Sequence, residues 1–222
     1  MALETIQFET GPEPVATLIV LHGLGADGND FVPIAQELDL GAVGPVRFVF
    51  PHAPVIPVTI NGGYRMRAWY DILGMDLQHR EDEAGLRNAI ATVEALLAGE
   101  KARGMAAHRI VLAGFSQGGA VALLSGMRHG ERLAGITGLS SYLPLAHTTA
   151  AERSDVNALT PVFMGHGLQD NVVDIERGRA SRDALLGLGY PVEWHEYPMP
   201  HSVCEEEIAD LNSWLLKVLA RS

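Results

Sequence analysis

Residues Gly114-Phe115-Ser116-Gln117-Gly118 form a G-x-S-x-G pattern between an apolar run, "HRIVLAG", and a small-residue segment, "GGAVALLSGM". A sharp strand-to-helix turn forces its central residue into strained backbone angles, at a cost of about 1–3 kcal/mol for a non-glycine. Flanking glycines remove the Cβ atoms that would collide with such a turn. The hydroxyl of Ser116 then stands clear of the sheet at a helix N-terminus, where the dipole favours developing negative charge. That placement suits a nucleophile.

A serine hydroxyl is a weak nucleophile at neutral pH and needs a base within hydrogen-bond reach. Where such a turn carries the nucleophile, an acid and then a histidine follow it in the chain. Four of the nine histidines, His22, His52, His79 and His108, precede Ser116. His129 is placed in the helix after the serine, His147 precedes the plausible acid, and His166 ends a strand, where a structural role is expected. His195 falls inside the last strand, at a surface or half-buried position. His201, in the loop after "YPMP", is chosen as the base. The acid belongs on the loop after the preceding strand, and "GHGLQDNVVD" supplies Asp170 there. Asp174 suits a helix cap better, and Asp155 and Glu193 stand as alternatives.

Acyl transfer also needs donors for an oxyanion. One is the backbone N–H of Gln117, directly after the serine; the other is assigned to Leu24 in the glycine-rich turn of "LIVLHGLGADGNDF". A phosphate loop is the competing reading of that turn, but it holds no lysine and no G-x-G-x-x-G pattern.

These residues need a frame. Apolar runs at Ala16–Leu21, Val46–Phe50, Arg109–Ala113, Gly135–Leu139 and Val162–Gly165 read as strands buried on both faces of a parallel sheet, and the more polar Val192–Tyr197 as its edge. Helical spacing of Leu86, Ile90, Val93 and Leu97, and of Ile208, Leu211, Leu215 and Val218, follows acidic starts that suit helix N-termini. A further helix is expected around Ile175–Leu186. The alternation predicts a single α/β domain over residues 1–222, with a mostly parallel sheet and helices on both faces. Residues 51–74, rich in proline and then Gly-Gly, break the pattern and predict a long binding loop or hairpin. Its Ile56, Met66, Trp69 and Leu73, with Met75, Tyr142 and Leu143, are the candidates for an apolar substrate groove.

Composition bounds the partners. Acidic residues outnumber basic ones, 27 to 16, and the net charge of −11 argues against nucleic acid and anionic lipid surfaces. No run of eighteen apolar residues spans a membrane, and the N-terminus lacks the features of a signal peptide. The lone cysteine, Cys204, precludes an internal disulfide, which fits a cytoplasmic protein; it is expected as a buried small hydrophobe starting the last helix. Histidine spacing shows no metal-ligand pattern, and neither metal nor organic cofactor is expected.

The motifs "LHGLGADG", "FPHAP", "AWYDI", "GFSQGGAVAL", "LSSYLP", "HGLQDNVV" and "PHSVC", in this order over nearly the whole chain, resemble the carboxylesterase and acyl-protein thioesterase family of α/β-hydrolases. The stretch from "FPHAP" to "AWYDI" looks most like its bacterial carboxylesterase branch. The resemblance implies an α/β-hydrolase fold, Ser116, Asp170 and His201 as a catalytic triad, and Leu24 and Gln117 as oxyanion donors. Asn171 stands where many members carry a proline. The expected partner is a small acyl ester or thioester, and a homodimer is carried as an open alternative to a monomer. An open site for short to medium acyl chains is expected, since no long insertion forms a deep lid. A peptidase and a non-catalytic acyl-lipid carrier are the rival readings; the intact serine, acid and histidine count against the carrier.

Overall fold

The computed structural model describes residues 3–74 and 81–220. Among them, one seven-stranded sheet and six α-helices follow in alternation after an initial run of strands. The strands of the sheet are β1 (Thr5–Glu9), β2 (Ala16–Leu21), β3 (Val46–Pro51), β6 (Ile110–Gly114), β7 (Gly135–Leu139), β8 (Val162–Gly167) and β9 (Val192–Tyr197). Their spatial order is β1-β3-β2-β6-β7-β8-β9, and every pairing is parallel except β1 with β3. A separate antiparallel hairpin joins β4 (Val55–Val58) to β5 (Tyr64–Arg67), which gives the proline-rich break its form. This is the α/β-hydrolase fold.

The helices are α1 (Val32–Glu37), α2 (Glu83–Ala102), α3 (Gln117–Gly126), α4 (Ala146–Glu152), α5 (Ile175–Gly187) and α6 (Glu205–Val218). Successive strand residues point to opposite faces, and two apolar layers result. Ile19, Leu21, Ile110 and Leu112 pack with α2 and α3 through Leu86, Val93, Ala120 and Leu124. Leu18, Phe48, Phe50 and Val111 pack on the other face with α1 and α6 through Ala35, Leu211, Trp214 and Leu215. Because six strands run parallel, their C-terminal ends share one rim, and the loops leaving β2, β6, β8 and β9 meet there.

The structure departs from the sequence expectations in several places. It adds the edge strand β1 and the short helices α1 and α4. His129 lies beyond α3, which ends at Gly126, and its Nδ1 sits 2.9 Å from Glu94. Cys204 is half-buried at the N-cap of α6 rather than fully inside. Among the described residues no helix is long and apolar enough to cross a membrane.

Candidate active site

Ser116 sits between β6 and α3 with φ 54° and ψ −121°, a conformation L-residues rarely adopt. The turn is clamped from both sides: Phe115 N–H donates to the Leu21 carbonyl of β2 at 3.0 Å, and Ser116 N–H to the Leu139 carbonyl of β7 at 2.8 Å. Ser141 Oγ donates to the Ser116 carbonyl at 2.7 Å. A Cβ at Gly118 would fall 2.1 Å from the Leu21 carbonyl oxygen, so glycine lets α3 approach β2 that closely.

Asp170 and His201 are positioned by two loops laced together. Leu168 N–H donates to the Tyr197 carbonyl at 2.8 Å and Gln169 N–H to the Met199 carbonyl at 3.0 Å. Asp170 Oδ1 accepts from the N–H groups of Val172 and Val173, both at 2.9 Å. Its Oδ2 lies 2.7 Å from His201 Nδ1. The Asp170 side chain is fully buried, whereas the His201 side chain is 15% exposed. A neutral ring that donates from Nδ1 carries its lone pair on Nε2, the state a general base requires. Asp174, as expected, caps α5 by accepting from Glu176 N–H at 3.0 Å.

A cavity of about 420 Å³ holds both Ser116 and His201 on its lining. Leu24 borders the same cavity from the loop after β2. Gln117 is the first residue of α3, where backbone N–H groups have no partner within the helix. Two histidines outside the proton path support this rim. His22 accepts from Ala53 N–H at 3.0 Å through Nε2, so its Nδ1–H donates to the Gly23 carbonyl at 2.7 Å. Burial holds its pKa below the ordinary value, keeping the ring neutral. His166 is likewise held low by burial; its Nε2 lies 2.9 Å from the Val173 carbonyl and 3.4 Å from Asp170 Oδ2, bracing the acid loop. His195 is half-buried in β9 against Glu193 and Asp210, away from the cavity.

The groove candidates fare differently. Trp69, Tyr142 and Leu143 are buried in the core on the α2–α3 face. Trp69 Nε1–H donates to the His22 carbonyl at 2.9 Å, and the Tyr142 hydroxyl lies 2.7 Å from that of Tyr70. Ile56 and Met66 are half-buried on the hairpin, with Met66 against the turn at Gly25, and Leu73 is exposed. Met75 lies outside the described residues. Among the described residues, the apolar lining of the cavity includes instead Leu24, Phe31, Ile34, Phe115, Val172 and Val203. Residue type alone does not tell core from cavity wall. Gln117 carries a further duty that the sequence reading missed: its side chain accepts from Trp69 N–H at 2.8 Å and donates to the Tyr70 carbonyl at 2.9 Å.

A family model described as Phospholipase/Carboxylesterase matches residues 4–219. Acyl-protein thioesterase 1 of Mycosarcoma maydis is 42% identical over 225 residues, covering 95% of this chain and 94% of that protein. The crystal structure of Zea mays acyl-protein thioesterase 2 superposes with a TM-score of 0.85 at 30% identity, covering 97% of this chain and 99% of that one. Arabidopsis thaliana SOBER1 gives 0.87 at 29% identity, covering 92% and 99%.

Proposed function

The chain belongs to the Phospholipase/Carboxylesterase family, and on that premise we propose that its ester hydrolysis runs on Ser116, Asp170 and His201. The observation that carries this reading is the shared cavity: a serine at positive φ and a histidine bound to a buried carboxylate open into one space.

In the proposed reaction His201 Nε2 takes the Ser116 proton as Oγ attacks the carbonyl carbon of an ester or thioester. Asp170 holds the ring in the correct tautomer and stabilises the imidazolium. The tetrahedral oxyanion accepts hydrogen bonds from the N–H groups of Leu24 and Gln117; one such donor is worth about 2.7–4 kcal/mol of barrier. The leaving alcohol or thiol takes the proton from His201. Water, deprotonated by the same ring, then releases the acid and restores Ser116.

The substrate class in this reading is a small ester or thioester with a short to medium acyl chain. Removal of fatty acyl groups from protein cysteines is the second reading, favoured by relatives named as acyl-protein thioesterases. The unpaired Cys204 agrees with a cytoplasmic, reducing setting. A homodimer belongs to the same proposal, and light scattering decides it.

Fluorophosphonate labelling of the native protein but not of Ser116→Ala, with hydrolysis lost in the same variant, is the expected result. Labelling that survives Ser116→Ala overturns the assignment. A panel of p-nitrophenyl esters, acyl thioesters and S-acylated peptides separates the two substrate readings.

A further inference from the structure

Phe31 and Ile34 border two cavities at once. On one side is the space that holds Ser116 and His201. On the other is a small void of about 30 Å³ between α1, the sheet and α6, bordered also by Leu18, Phe48, Leu211 and Leu215. A volume of this order accommodates one or two water-sized groups. The void is almost wholly apolar in its lining. Thr137 also borders it, with a hydroxyl that has no hydrogen-bond partner.

The wall between the two spaces is thin. Helix α1 has six residues and no side-chain cap, and Ala35 is its one fully buried residue. Phe31 stands at its N-cap with its ring centroid 5.7 Å from that of Phe115, which lies 4.8 Å from the His201 ring. A short helix with little buried surface is cheap to displace. Trp69, Tyr142 and Leu143 are packed into the core of the α2–α3 face. Among the described residues, the apolar lining of the Ser116 cavity includes Phe31 and Ile34 on its α1 side.

From this arrangement we propose that Phe31 and Ile34 set the acyl-chain length this enzyme accepts. The acyl group runs from Ser116 along Phe115 and Val203 and ends against these two side chains. The void behind them is unused reach that opens when either side chain is shortened. The proposal rests on ester hydrolysis at Ser116.

The test compares kcat/KM for p-nitrophenyl butyrate, octanoate and decanoate in the native protein, Ile34→Ala and Phe31→Leu. The expected result is a decanoate-to-butyrate ratio about tenfold higher in the variants, the effect of burying about two further methylenes. Adding Ala35→Leu to Ile34→Ala refills the void, since Ala35 borders it without reaching the Ser116 cavity; the ratio should fall back. Fluorophosphonate labelling reports whether each variant keeps a working Ser116. An unchanged ratio in variants that label normally overturns the proposal and leaves the Ser116 assignment intact. Native protein that neither labels nor hydrolyses any ester overturns the underlying reading instead. Should the variants not fold, a crystal structure of native protein carrying a decyl phosphonate on Ser116 decides: a chain against Phe31 and Ile34 supports the proposal, and a chain along the β4–β5 hairpin refutes it.

Discussion

Asp170 binds His201 with one carboxylate oxygen and the backbone of its own loop with the other. Oδ2 lies 2.7 Å from His201 Nδ1, while Oδ1 accepts from Val172 and Val173 N–H. The division matters for substitution. In Asp170→Asn the amide oxygen keeps the two backbone donors, which turns the NH2 group toward His201. The ring must then accept at Nδ1 and carry its proton on Nε2, where a base is required to be free. Comparable disruption of a triad lowers kcat about 10⁴-fold with the fold intact. Steady-state kinetics beside circular dichroism checks this. A loss smaller than tenfold would show that Asp170 does not set the tautomer.

Ser116 stores strain that a glycine releases. At φ 54° the backbone is unfavourable for any residue with a Cβ, at about 1–3 kcal/mol. Glycine's larger unfolded-state entropy offsets about 0.5–1 kcal/mol of the gain. Ser116→Gly is therefore expected to be inactive yet melt about 2–4 °C higher. Ser116→Ala keeps the strain and should be inactive at roughly the native melting temperature. Equal melting temperatures for the two variants would remove strain from the account of this turn.

The path from residue type to site was legible where local chemistry leaves few options. Glycines crowd Ser116 because α3 and β2 touch there, and that crowding is written in the chain as G-x-S-x-G-G. Continuous apolar runs marked the central parallel strands, since both faces of β6, β7 and β8 are covered. The edge strand β1 escaped notice because it is half-exposed and its partner, β3, lies about forty residues on. The cavity wall escaped for a different reason. Phe31 and Ile34, Val172, and Val203 come from three separate places in the chain, and only tertiary packing distinguishes them from Trp69 or Tyr142, which are equally apolar but buried. The Gln117 side chain was invisible likewise, because its partners arrive with the long segment that folds back over α3.

Glu207 makes stability fall as pH rises. It is fully buried on α6, packed against Gly165 of β8 and near Tyr197 of β9, Cys204 and Asp210 of its own helix, and neither carboxyl oxygen has a hydrogen-bond partner. Burial, with Asp210 adding repulsion, pushes its pKa up from 4.5 to about 8. Below the ordinary value the group is protonated in both folded and unfolded chains and has no effect on the balance. Between that value and about 8 the unfolded chain releases the proton while the fold must retain it, so folding loses free energy, up to about 5 kcal/mol over the interval. Glu207→Gln removes the titration. Melting curves of native and variant protein should diverge in the variant's favour from about pH 5 to about pH 8, then run parallel. Parallel curves throughout that range would mean that Glu207 ionises freely in the fold.

Gly167 keeps the acid and histidine loops in contact. It ends β8, and a Cβ there would fall 2.4 Å from the carbonyl oxygens of both Met199 and Pro200. Those carbonyls belong to the segment just before His201, and the Met199 carbonyl accepts from Gln169 N–H. Gly167→Ala must push the two loops apart by several tenths of an ångström or more. The 2.7 Å contact between Asp170 and His201 lengthens with them, because each residue follows directly from the displaced backbone. Misplacement on the order of 1 Å costs about a hundredfold in rate. The expected outcome is a kcat reduced about a hundredfold with a much smaller change in KM, since Gly167 does not line the substrate cavity. Folding should survive at a lower melting temperature. Native kcat in this variant would show that the spacing between the two loops does not control the proton transfer.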